Sequence, residues 1–189
     1  MVNDTHSSLK YRGIGDDLPT KPADLLARFS AWGIEHTVFE HQAVFSVEES
    51  QEVDAQIAGM HTRNLFLKDK KGTMFLVTLP AHMPLDLKKL ESVIGSGRLS
   101  FGSSERLWTY LGVRPGSVTP FAIINDGEGL VTPIWEQSMM KADIINCHPL
   151  INTMTVSMNP TGWLEFAKRI GRSDDVRVMD LEAARPDFK

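Results

Sequence analysis

Apolar residues along the chain recur at helical spacing in some stretches and strand spacing in others, and the changes of period outline the elements. In "PADLLARFSAWG", Leu25, Leu26, Phe29 and Trp32 fall on one helical face and Gly33 supplies the stop. "EHTVFEH" reads as a short strand, and "SVEESQEVDAQI" has the acidic opening of a second helix. "RNLFLKD" and "TMFLVTLP" are β-rich runs separated by "KKG", the pattern of a hairpin. "DLKKLESVIG" predicts a helix capped by Asp86, with Leu87, Leu90, Val93 and Ile94 on its apolar face and Gly95 at its end. "SERLWTYLG" predicts another, closed by Gly112. "FAIIND", "LVTPIW", "ADIINCH" and "TMTVSM" predict strands. "NPTGWLEFAKRIG" predicts a helix capped by Asn159, with Pro160 in its first turn and Trp163, Phe166, Ala167 and Ile170 facing inward. "VRVMDL" predicts a last strand. Interspersed strands and helices, neighbouring hairpins and the lack of a repeat favour a mixed α/β sheet over a doubly wound parallel fold.

At 42% hydrophobic, a chain of 189 residues can bury the core of one domain. Residues 1–19 are polar and Gly/Pro-containing, a flexible lead-in, and residues 20–189 show no internal boundary. Twenty Lys+Arg against twenty-four Asp+Glu leave a net charge of −4, so no global field draws the chain to DNA, and a polyanion must be met by a local patch. The single Cys147 rules out an internal disulfide and suits a reducing cytoplasm. The N-terminal stretch lacks the apolar core of a signal peptide, and no run approaches a membrane span.

The charged stretch "HTRNLFLKDKKG" carries the first candidate chemistry. On a regular strand Arg63, Leu65 and Leu67 share one face, and Asn64, Phe66 and Lys68 the other. An arginine beside two leucines is partly buried and calls for an anion, either an internal carboxylate or a ligand phosphate. Lys68, Lys70 and Lys71 gather at the hairpin turn. In "GSGRLSFGS", Arg98 and the glycines either cradle a phosphate or form a tight helix-to-strand connection. "GVRPGSVTPF" is a rigid loop in which Gly116 lets a ligand approach the backbone, unless it is only a Pro-Gly turn. Cys147 and His148 are adjacent, but neighbours on a strand point to opposite faces, so no thiol–imidazole dyad is expected. Spacing alone favours a buried Cys147 and a hydrogen-bonded structural His148. Six histidines without ligand spacing, and no CxxC, predict no metal.

"HTRNLFLKDKKG", "VIGSGRLSFGS", "LGVRPGSVTPFAIIND" and "CHPLINTMT", in that order, resemble the YbaK/ProXp family of trans-editing aminoacyl-tRNA deacylases. That family is related to the editing domain of bacterial prolyl-tRNA synthetases, and the likeness is strongest to its ProXp-ala type. It runs from about Pro22 to about Ile170. The resemblance implies a mixed, mainly antiparallel sheet curled into a barrel-like shape with surrounding helices. It implies hydrolysis of the ester between an amino acid and the 3′-terminal adenosine of a mischarged tRNA, with Ala-tRNA(Pro) as leading substrate and no metal or cofactor. A prolyl-tRNA synthetase is a second possible partner.

In the same way the resemblance implies that the loop Gly116, Ser117, Val118, Thr119 and Pro120 brackets the aminoacyl group and that His148 lines the site. Asn64 matches the asparagine of the family's "KNLFL". Arg63 stands where the family usually has lysine. Arginine keeps the charge but cannot accept a proton at working pH: it can serve if the role is to hold phosphate or ribose, and activity should fall if a compact ammonium is needed. The expected chemistry has Arg63 on the terminal adenosine, Gly116 orienting the ester carbonyl, and an attacking water in place of a protein nucleophile. Lys68, Lys70 and Arg98 are expected to meet the acceptor-stem backbone. The competing reading is a non-catalytic module that binds aminoacyl-tRNA or a synthetase, with Arg63 marking lost turnover.

Overall fold

The computed structural model describes residue 15, residues 17–43 and residues 55–187. Most of the lead-in, and nearly all of the helix expected in "SVEESQEVDAQI", lie outside the described residues. Helix α1 (Pro22–Ala31) leads to β1 (Thr37–Glu40), followed by the hairpin β2 (Met60–Asp69) and β3 (Met74–Pro80). Then come α2 (Leu87–Ile94), β4 (Leu99–Phe101), α3 (Ser104–Leu111), β5 (Val131–Glu136), β6 (Ile145–Cys147), β7 (Met154–Met158), α4 (Pro160–Arg169) and β8 (Arg177–Met179).

The strands form one mixed sheet in the order β1-β7-β6-β2-β3-β5-β8, with β4 also pairing on β2. Antiparallel pairs (β1–β7, β2–β3, β2–β4, β6–β7) outnumber parallel ones (β2–β6, β3–β5, β5–β8). The sheet is not closed: β1 and β8 are its two ends. Strand β3, the unbroken apolar run, lies between β2 and β5 and is buried along its whole length, as a strand covered on both faces must be.

Alternation divides the side chains between two cores. On one face Phe66, Leu76, Trp135 and Val156 pack with Phe29 of α1, Leu107 of α3 and Trp163 and Phe166 of α4. On the other, Leu67, Val77, Leu79 and Ile134 pack with Leu90 and Ile94 of α2. The expected caps form: Asp86 accepts from the amides of Lys88 and Lys89, and Gly95 closes α2 at φ 72°. Asn159 accepts from Gly162 N, and Pro160 opens α4. Gly102 is a close approach, since a Cβ there would lie 2.3 Å from the Phe66 ring.

One expected strand is corrected. "FAIIND" forms a 3-10 helix, Pro120–Asn125, not a strand. Pro120 has no amide to give a ladder, the Thr119 hydroxyl takes Phe121 N at 3.4 Å, and the Asp126 carboxylate takes Leu130 N and Val131 N. Four consecutive buried residues, Pro120 to Ile123, are thus accommodated in a short coil against the main core.

Candidate functional site

Strand β2 is paired with β3 along one edge from Thr62 to Lys68. Along its other edge, β6 pairs only at Met60 and His61, and β4 only from Leu67 to Asp69. Between them the edge has no strand partner among the described residues, which leaves a window in the sheet. Even-numbered peptide groups face that edge: Met60 N donates to Ile144 O, and Phe66 O accepts from Gly102 N. The N–H and C=O of Asn64 therefore point into the opening. Arg63 and Asn64 project from opposite faces of β2, as alternation requires, and flank it from the two sides.

The β2–β6 ladder ends at His61↔Asn146, and Arg63 and His148 each stand two residues beyond that last pair, His148 being the first residue past β6. Arg63 is half-buried, and burial pulls its guanidinium below the ordinary arginine value. Its Nη2 donates to Met83 O at 2.7 Å, while Nε is buried without a partner. Of the two anions expected as its partner, an internal carboxylate is not found among the described residues. Met83 also lines a cleft of about 460 Å³, whose wall mixes Glu136, Asp180 and Glu182 with Lys141 and Arg185 and so offers no cationic surface to a polyanion.

The His148 ring is half-buried, and its Nδ1–H donates to Met154 O at 2.9 Å. Cys147 points the other way, into the main core, where burial pushes its thiol up against the smaller opposing effect of the Thr119 hydroxyl. The two do not form a dyad. Pro149 and Leu150 then turn the chain; Leu150 is buried in the left-handed region at φ 72°, a strained placement held by its packing. That turn carries Asn152 to Gly116, where a Cβ would meet its Nδ2 at 3.6 Å.

The loop 112–121 contains the Pro-Gly turn: Ser117 N donates to Arg114 O at 3.0 Å, and Gly116 sits at φ 85°. Thr119 Oγ1 donates to His148 O at 2.6 Å and latches the loop to the end of β6. Gly116 is exposed, Val118 is half-buried, and Ser117, Thr119 and Pro120 are buried. Of the expected loop residues, then, Gly116 offers backbone to the outside, and Thr119 acts inward.

Lys68, Lys70 and Arg98 lie elsewhere. Lys68 is five residues beyond Arg63, about 17 Å along the strand at ~3.3 Å per residue. Lys70 lies over Gly97, next to the exposed Arg98. The glycine run does not cradle an anion through Gly97, whose amide donates to Asp69 Oδ2 at 3.3 Å.

Several polar residues where β2, β6 and β7 adjoin were not among the expected site residues. Ser157 Oγ donates to Asn146 Oδ1, Asn146 Nδ2 donates to Ala58 O at 3.1 Å, and His61 Nε2–H donates to Ile57 O at 2.7 Å. The His41 ring pairs with Thr155 Oγ1 at 3.1 Å and lies 6.1 Å from the His148 ring. Their signal was the polar alternation of Thr155 and Ser157 within an otherwise apolar β7.

The open mixed sheet carries a half-buried arginine, an anchored histidine and a glycine turn. A family model described as "Aminoacyl-tRNA editing domain" matches residues 41–166, and the chain belongs to that family. It is 33% identical over 144 residues to the prolyl-tRNA editing protein ProX of Acetoanaerobium sticklandii, covering 76% of this chain and 87% of that protein. It is 36% identical over 152 residues to the prolyl-tRNA synthetase associated domain-containing protein 1 of Danio rerio, covering 79% and 81%. The fold matches a solved structure described as a candidate trans-editing enzyme for prolyl tRNA synthetase, with TM-score 0.60, 16% identity, and coverage of 82% of this chain and 92% of that one.

Proposed function

We propose that the chain, as a single domain over residues 20–189, hydrolyses the ester of mischarged tRNA in trans, with Ala-tRNA(Pro) as its substrate. The observation that carries this reading is the open β2 edge at Asn64, next to an arginine with no carboxylate partner among the described residues; Thr119 ties the Gly116 turn to His148 at the end of β6. Arg63 holds the terminal adenosine through phosphate or ribose, which needs charge and donors and no proton transfer. Gly116 orients the ester carbonyl with its backbone. His148, fixed through Nδ1, lines the aminoacyl end. Water attacks the carbonyl carbon, the ester C–O bond breaks, and the proton ends on the ribose hydroxyl. A small aminoacyl pocket admits alanine and excludes larger side chains by size. Lys68, Lys70 and Arg98 meet the acceptor stem, and prolyl-tRNA synthetase is the partner that would supply the mischarged product. No metal or cofactor enters this scheme.

Single-turnover deacylation of Ala-, Ser- and Thr-esters of tRNA tests it. The native chain should release alanine well above the enzyme-free rate. Arg63→Met should slow the reaction about 10- to 100-fold, as expected for a lost charge-assisted contact. A native chain that binds the tRNA without hydrolysis, and gains turnover on Arg63→Lys, would instead make this protein a binding module.

A further inference from the structure

Among the described residues, four buried polar side-chain atoms without a hydrogen-bond partner belong to one place in the fold. Asn64, Thr78 and Trp135 are in register across β2, β3 and β5, and all three point toward the main core. Asn64 Oδ1, Thr78 Oγ1 and Trp135 Nε1 are each buried and unpaired. The Trp135 ring meets Trp163 of α4 edge to face, with centroids 5.2 Å apart, and Trp163 Nε1 is the fourth such atom. Thr78, Trp135 and Trp163 are fully buried. Unpaired polar atoms in a protein interior are rare, and a row of them across adjacent strands asks for one shared partner.

The donor and acceptor inventory says what that partner is. Two indole N–H groups can only donate, Asn64 Oδ1 can only accept, and a threonine hydroxyl does either. In donor and acceptor count a single water matches this set: it could accept from both indoles and donate to Asn64 Oδ1 and Thr78 Oγ1. Asn64 is only half-buried, and Oδ1 is a buried end of its amide. We propose that the Asn64–Thr78–Trp135–Trp163 seam binds one internal water, and that this water locks the Asn64 amide with its N–H donors facing the window. Asn64 then presents a side-chain donor to an ester carbonyl oxygen beside its own peptide edge. Thr78 acts as a positioning residue, since it reaches the reaction only through the water and Asn64.

This inference rests on the deacylase reading, and its test separates the two. In the native chain, water–protein cross-relaxation should show a long-lived water at the Trp135 and Trp163 indole protons. The absence of any water contact at both indoles overturns the seam, whatever the activity. Thr78→Val, which removes the hydroxyl at nearly constant volume, should lower the single-turnover rate at saturating enzyme roughly three- to tenfold. It should leave the binding of aminoacyl-tRNA unchanged, and Thr78→Ser should restore the rate. A Thr78→Val chain that folds and hydrolyses at the native rate overturns the positioning role. If the native chain hydrolyses no ester, the deacylase reading fails, while the indole cross-peaks still decide whether the seam holds water.

Discussion

At the scale of the residue, Cys147 and His148 show how adjacency in sequence can mislead and how strand geometry corrects it. One side chain enters the apolar core, and the other, half-buried, hydrogen-bonds Met154 O. Burial keeps the Cys147 thiol protonated, so it should be nearly inert while the chain is folded. A thiol reagent should label native protein about 100-fold or more slowly than unfolded protein at the same pH. Fast labelling of the native chain would mean that β6 opens readily. Arg63 poses the opposite case. Its partly buried position could be read from two leucines at alternate positions, but its hydrogen-bond partner could not, because Met83 O comes from a different segment after β3.

At the scale of the element, the β2–β3 hairpin is tied to α2 and β4 by one carboxylate. Asp69 accepts from Lys71 N at 2.8 Å and Thr73 N at 3.0 Å through one oxygen, and from Gly97 N through the other. Burial alone would raise this carboxyl; the amides of Gly97, Thr73 and Lys71, with the Lys71 charge, outweigh it and hold it below the ordinary 3.8. A carboxyl lowered on folding stabilises the fold above its unfolded value and ceases to do so as pH falls through its folded one. Asp69→Asn should therefore melt below the native chain at pH 7, and thermal melts should show the gap closing below about pH 3.8. The hairpin itself was legible, as were α1 to α4, the Asp86 and Asn159 caps and the glycine stops, because each is signalled by local period and capping residues. The 3-10 helix after Thr119 was not. "FAIIND" has strand composition, and what decides it is a proline at its head and buried contacts supplied by distant elements. The loop, His148 and Asn64 were visible as motifs; the window that relates them depends on where β6 and β4 stop pairing, which no local pattern encodes.

At the scale of the whole molecule, the chain is net acidic and carries its cations in separate places. Arg172 is internal: it donates to Asp126, Asp175 and Val131 O and fastens the end of α4 to the turn before β5. Lys68, Lys70 and Arg98 are grouped at the far end of β2 from the window. If they meet the acceptor stem, replacing all three with glutamine should weaken tRNA binding for every sequence alike. The slope of log affinity against log salt should become shallower by about 2 to 3, measured by titration at several salt concentrations. An unchanged slope would move the nucleic-acid surface elsewhere. The window has one more consequence. A strand inside a sheet normally shields all its amides, but here Arg63 and Leu65 turn theirs to β3 while Asn64 turns its own to the opening. Deuterium uptake should therefore alternate from residue to residue along the middle of β2, and a bound substrate should slow it at Asn64 alone, so that the backbone itself reports whether the site is occupied.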